Sequence, residues 1–365
     1  MKELLNSLDL PKLLRFNNGD TVKNQDDWEK RRCEIKEILQ KEEYGYLPPV
    51  IPFKVTVEEV LNKQFSGYVR WEKLKFLFEN KSKQHSVPVN VFYPENVEGA
   101  VPFIVFLNFR TDIPDKYFYV EDILERGFGV ATVCYTDVTA DSNKWDGLAH
   151  VLYDLDERTN TTAGKLMIWS YMAQRIMDYL QDIDSVDKKN IAVMGHSRLG
   201  KTALLTAAFD ERFAFACVNC SGCCGAALSR GKGGENLEAI TNIFPFWFCD
   251  GFKKYANNEF KMPFDQHFLM SLVAPRKTCV GTAENDFCAD TDYQQLTCIA
   301  TDEVYKIYGK AGYIGKYSSV SPETYYTEGD IAFFNRTGEH FMSVRDWRVY
   351  MDYIRSHMNQ HVSDV

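Results

Sequence analysis

The sequence predicts an α/β fold: a mostly parallel central sheet in a three-layer αβα sandwich, with an N-terminal helix and antiparallel edge strands. Three observations predict it. Fully apolar runs such as 102–108 and 129–135 recur between amphipathic segments, as they do when parallel strands are buried on both faces. Before them lie three alternating, β-branched or aromatic runs, 53–60, 67–78 and 87–93, which predict an antiparallel meander. Residues 27–42 carry helical spacing and stop at Tyr44-Gly45 and Pro48-Pro49.

The remaining elements follow in chain order. A helix is expected around 115–126 and a long amphipathic one over 164–181. Further buried strands are expected at 191–195, 214–220 and 278–283. A short last strand, 331–334, precedes a closing helix over 343–358. Residues 221–262 have no strong period and are rich in Gly, Asn and aromatics. They predict an insertion over one edge of the sheet, above the functional site, within a single domain spanning 1–365.

A chain with 45% hydrophobic and 25% charged residues can bury a large core. Its net charge of −9 argues against nucleic acid or an anionic membrane surface as partner. No stretch is long and apolar enough to span a bilayer, and the first residues do not read as a secretion signal. The ten cysteines are scattered, apart from Cys217, Cys220, Cys223 and Cys224. That run lacks a second Cys/His pair at finger-like spacing, so no metal or cofactor is expected. Free thiols and a cytoplasmic location are the expectation. The aromatic content suits either core packing or a flat surface for sugar rings.

The most informative stretch is Ile191-Ala192-Val193-Met194-Gly195-His196-Ser197-Arg198-Leu199-Gly200-Lys201-Thr202. It satisfies two patterns. One is the phosphate-cradling loop G-x-x-x-x-G-K-[ST], in which Lys201 would reach phosphates and Thr202 a metal ion. Against it, the loop is not glycine-rich, it follows a late strand, and no later strand ends in a metal-binding Asp. The other is a nucleophile elbow, in which a strand turns sharply into a helix and exposes the serine hydroxyl. Gly195 at −2 and Gly200 at +3 would relieve crowding there, although the second glycine more commonly sits at +2. The Arg198 backbone N–H would face an oxyanion, and Asn108-Phe109-Arg110 would supply the second donor. The elbow is the preferred reading. An α/β-hydrolase with Ser197 as nucleophile follows from it.

Such hydrolases order their triad Ser, acid, His. After the strand 278–283 come Glu284 and Asp286, either of which could serve; Asp286 is preferred. Of the histidines that follow, His357 lies in the closing helix and His361 in the tail. His340 sits in a loop between the last strand and that helix, where a positioned base belongs. His267 precedes the acid strand and is assigned to structure.

At this point the residues resemble a known family. Gly195-His196-Ser197-Arg198-Leu199-Gly200-Lys201 is similar to the G-x-S-R-x-G-K signature of the glucuronoyl esterases, carbohydrate esterase family fifteen. Further agreement comes from Trp28 with Arg31-Arg32, Tyr44-Gly45, Gly225-Ala226-Ala227-Leu228-Ser229-Arg230, Gly234-Glu235, Phe244-Pro245 with Trp247-Phe248, and Ala283-Glu284-Asn285-Asp286. The likeness runs from about residue 16 to residue 355. It implies a serine carboxylic-ester hydrolase, of the bacterial type, acting on a small carbohydrate ester or oligosaccharide. It implies Ser197 as nucleophile, His340 as base, Asp286 as acid, and Arg198 supporting the oxyanion with backbone and guanidinium. Lys201, Glu235 and Trp247 would contact the sugar. Two positions depart from the pattern. Cys220 stands where some members carry Glu, and Cys288 where bacterial members tend to carry a stacking Trp. Deacetylation of xylo-oligosaccharides is the alternative substrate reading, and a non-catalytic carbohydrate-binding relative the alternative class.

Overall fold

The structure, a computed structural model, describes residues 1–358. Ten strands form one sheet: β1 (Phe53–Gln64), β2 (Val69–Asn80), β3 (Lys83–Pro94), β4 (Val101–Asn108), β5 (Gly129–Cys134), β6 (Val186–His196), β7 (Phe215–Asn219), β8 (Lys277–Ala283), β9 (Thr324–Tyr326) and β10 (Ile331–Arg336). Their order is β1-β2-β3-β5-β4-β6-β7-β8-β10-β9. The first three strands are the expected antiparallel meander. From β5 through β10 the neighbours are parallel; the short β9 pairs antiparallel at the far edge.

The apolar strands alternate between two cores. Val105, Leu107 and Val193 face one core, and Ile104, Phe106, Ala192 and Met194 face the other. Each strand is therefore wet on neither side, which is why its sequence lacks polar alternation. The first core is covered by α1 (Gln25–Leu39), α2 (Lys165–Gln181), α3 (Arg198–Phe209) and α4 (Thr291–Ile307), and the second by Val120–Glu125 and α5 (Val344–His357). Full burial of such side chains contributes about 1.5–3 kcal/mol each. Among the described residues no helix is long and apolar enough to cross a membrane.

One expectation is corrected. The helix expected over 115–126 is only Val120–Glu125. Asp115 accepts from the Asn108 side chain at 2.8 Å and from Tyr117 N–H at 2.7 Å, and this local capture holds the preceding residues in a turn. After the triad acid candidates, Asp290 and Asp292 start α4. Asp290 caps it by accepting from Tyr293 N–H, and Asp292 lies in the first turn, where negative charge is favoured. Finally, the 221–262 segment opens on ten consecutive buried residues, 221–230. The buried Asp265 carboxylate accepts from the backbone N–H groups of Ser229 and Arg230, which makes their burial affordable in hydrogen-bond terms.

All ten cysteines are free. The run that resembled a metal knot is split: Cys217 faces the second core, Cys223 and Cys224 the first, and Cys220 neither. His267 is buried with Nε2 on the Pro11 carbonyl, a structural histidine as expected. His357 bonds the Glu328 carbonyl from the closing helix; His361 lies outside the described residues.

Candidate active site

Strands β6, β7, β8 and β10 are consecutive in the sheet, so the loops at their carboxyl ends converge. Ser197 follows β6 and opens α3 with φ +58° and ψ −127°. A non-glycine residue held there stores on the order of 1–3 kcal/mol of strain, which the surrounding packing must support. A Cβ at residue 195 would lie 2.2 Å from the Leu199 carbonyl oxygen, and one at residue 200 would lie 2.8 Å from the Asn219 carbonyl oxygen. Both glycines are therefore required by close packing of α3 against β6 and β7. This also explains the spacing: the residue at +2, Leu199, supplies the carbonyl that crowds residue 195, and the residue at +3 approaches β7.

The three expected side chains meet. The Ser197 hydroxyl lies 2.9 Å from His340 Nε2, and His340 Nδ1 lies 2.6 Å from Asp286 Oδ2. With the ring proton on Nδ1, facing the carboxylate, Nε2 accepts from the serine. Asp286 is buried, while Glu284 is exposed, so the two candidates left open by the sequence are separated by the fold. Burial pushes the Asp286 carboxyl up. Hydrogen bonding and charge from His340, the Ala289 N–H and the Cys220 thiol outweigh that and hold it below the ordinary carboxylate value. Cys220, at the end of β7, places its sulfur within 4.8 Å of this carboxylate.

His196, next to the serine, packs its ring against His340 at 4.6 Å between centroids. Its Nδ1 lies 2.7 Å from the Asn219 side-chain oxygen. Burial and the nearby His340 hold it down at about 3, so it stays neutral beside the second imidazole.

Arg198 lines the same pocket as the serine. Its backbone N–H is at the first position of α3, unsatisfied within the helix and at the positive end of its dipole. Its guanidinium pairs with Asp141 and lies 5.1 and 4.9 Å from the ring centres of Phe244 and Trp247. Those rings stack in parallel 4.0 Å apart, and Trp247 Nε1–H donates to the other Asp141 oxygen at 2.7 Å. Asp141 thus clamps two pocket residues. It comes from the loop beyond β5, and its place near a strand's carboxyl end is the signal that could have found it. The expected donor loop does not take part. Phe109 N–H is satisfied by Asn108 Oδ1 at 2.7 Å, Arg110 pairs with Asp112 at the surface, and neither residue lines the pocket.

Lys201 reaches the pocket one helical turn after the serine. Its ammonium donates to the Ser221 and Cys223 carbonyls at 2.6 Å each and to Glu235 at 3.4 Å. Thr202 donates back to the Arg198 carbonyl. Neither side chain is free as a phosphate loop requires, which removes that reading. The cavity is about 530 Å³ and is lined by Ser197, Arg198, Lys201, Glu235, Trp247 and His340, together with Phe287, Cys288 and Glu339. Trp247 is nearly buried and presents a wall, while Phe287 is 77% exposed at the rim.

Comparison with known proteins identifies the family. A family model described as glucuronyl esterase of fungi matches residues 77–309. A carbohydrate esterase from an unknown prokaryotic organism is 30% identical over 96% of this chain and 89% of its own length. A 4-O-methyl-glucuronoyl methylesterase of Podospora anserina is 31% identical over 72% of this chain; the match spans about half (52%) of that relative. Among solved structures, a promiscuous esterase of carbohydrate esterase family fifteen, from a marine bacterial metagenome, superposes with a TM-score of 0.88 at 30% identity, over 96% of this chain and 97% of that one. A glucuronoyl esterase from Solibacter usitatus gives 0.89 at 29% identity, over 95% and 97%. The chain belongs to the glucuronoyl esterase family, carboxylic-ester hydrolases with the α/β-hydrolase fold.

Proposed function

We propose that this protein hydrolyses carboxylic esters of sugars, with 4-O-methyl-glucuronoyl esters as its substrate class, and that Ser197, His340 and Asp286 perform the reaction. The observation that carries the proposal is the continuous Ser197–His340–Asp286 hydrogen-bond relay at a strained elbow. His340 Nε2 takes the hydroxyl proton as Ser197 Oγ bonds to the ester carbonyl carbon. Asp286 orients the ring and stabilises its charged form. The oxyanion that develops is met by the Arg198 N–H, the α3 dipole and the guanidinium that Asp141 holds in place. Collapse expels the alcohol, which takes the proton from His340 and leaves an acyl-serine. Water, deprotonated by the same imidazole, then releases the acid and restores the serine.

Glu235 is the partly exposed member of its pair with Lys201. It accepts from sugar hydroxyls, and the lysine orients it while bracing the wall. Phe287 and Cys288 border the entrance where the alcohol half leaves.

The test compares methyl glucuronate with acetylated xylo-oligosaccharides as substrates, alongside fluorophosphonate labelling of Ser197. Preference for the glucuronate with labelled Ser197 is expected. Preference for acetyl groups would move the substrate class, and an unlabelled serine would sink the mechanism.

A further inference from the structure

We infer that the floor of this pocket is also a binding site for a thiophilic divalent cation of the Zn²⁺ class, formed by Cys220, Asp286 and His340. One sulfur, one carboxylate oxygen and one ring nitrogen from these residues lie within 4.8 Å of one another. Cys220 follows β7, Asp286 follows β8 and His340 follows β10, so three adjacent strand ends deliver one ligand each. Cys220 and Asp286 are buried, His340 is 42% exposed, and all three line the cavity, so an ion entering the pocket meets them from its open side.

The donor chemistry selects the ion. Thiolate, imidazole and carboxylate together suit Zn²⁺ or Co²⁺, whereas Mg²⁺ and Ca²⁺ call for oxygen ligands. Tetrahedral Zn²⁺, with bonds of about 2.0–2.3 Å, holds its ligands roughly 3.5 Å apart. Small side-chain rotations reach that spacing, with the His340–Asp286 contact opening from its 2.6 Å. Water from the pocket completes the coordination.

Binding rearranges protons. The Cys220 thiol releases its proton to solvent as the sulfur takes the metal. His340 Nδ1 exchanges its proton for the metal, and the neutral ring carries the proton on Nε2 instead. An Nε2–H donates where the base must accept, so Ser197 loses its proton acceptor. The ion is an inhibitor. Its binding stands on the ligand geometry alone, and only the inhibition rests on the proposed function.

Calorimetric titration of the full chain with ZnCl₂, and absorption spectroscopy with CoCl₂, test the site. The wild type should bind one Zn²⁺ and give a near-ultraviolet thiolate-to-Co²⁺ charge-transfer band. Cys220→Ser should abolish the band and weaken Zn²⁺ binding about tenfold or more, and His340→Ala, at a half-exposed position, should weaken it similarly. Ser197→Ala should bind the ion as the wild type does. No binding by the wild type, or binding unchanged in both ligand variants, would overturn the site. A protein that binds added Zn²⁺ yet hydrolyses no ester when kept metal-free with a chelator would instead count against the proposed function, so the two failures are distinguishable.

Discussion

The two sides of the pocket are built differently. On the reacting side, Ser197, Asp286 and His340 hang from the ends of neighbouring parallel strands, and sheet register brings them together. On the wall side, Arg198, Trp247, Lys201 and Glu235 are held by polar contacts between distant segments. Asp141 reaches Trp247 across 106 residues of sequence, and Lys201 reaches Glu235 across 34. The reacting side is thus preorganised by backbone, and the wall by a few buried hydrogen bonds. Removing a reacting atom should abolish chemistry and spare the fold. Removing a wall contact should misplace groups and cost stability.

The sharpest way to break the comparison is Ser197→Ala. Turnover should fall on the order of 10³-fold or more, with the thermal midpoint unchanged; near-native turnover would place the nucleophile elsewhere. Next comes Asp141→Asn, which weakens the clamp on Arg198 and Trp247. A fall of about 10²-fold in kcat/KM is expected, since misplacement of a catalytic group by an ångström costs that much. Fluorophosphonate labelling of Ser197 should persist, and its loss would mean that the two sides are not separable.

Lys201→Met leaves the Ser221 and Cys223 carbonyls and Glu235 without their donor. Urea denaturation should show a loss of about 2 kcal/mol, as for buried carbonyls left without their donor. Activity should fall further on sugar esters than on aryl acetates; equal loss would argue that the lysine only holds the wall.

A pH-dependent effect concerns Glu43, fully buried, whose carboxyl accepts from Gln266. Its neighbour Tyr44 donates to the Cys224 carbonyl. Burial pushes the Glu43 carboxyl from its ordinary 4.5 up to about 8. Between those values the folded state keeps a proton that the unfolded state has released. Stability should therefore fall as pH rises from about 4.5 to about 8, by at most ~1.4 kcal/mol per unit. Glu43→Gln should flatten that slope in denaturation midpoints measured across the range. An unchanged slope would assign the pH dependence to other groups.

The sequence carried the reacting side almost whole. Ser197, a late His340 and an acid at 284 or 286 are local signals tied to strand ends, and strand periodicity is readable residue by residue. The wall was legible only in part. Lys201, Glu235 and Trp247 were found by resemblance, but Asp141 sits in a polar loop with no periodicity to mark it. The capture of Phe109 N–H by the Asn108 side chain, away from the pocket, is invisible before the backbone is placed. Helix α4 was missed for a similar reason, since its capping aspartates look the same as solvated loop acids.

By itself, then, the sequence determined the parallel sheet, the elbow at Ser197 and the order of its triad partners, because each depends on short-range pattern: apolar periodicity, glycine spacing and chain order. Tertiary structure alone decided that Asp286 rather than Glu284 meets His340, that Asp141 clamps Arg198 and Trp247, and that Cys220 lies beside the acid. Those choices depend on which side chains are buried together and which donors remain unsatisfied, and such pairings exist only once distant strand ends share one pocket.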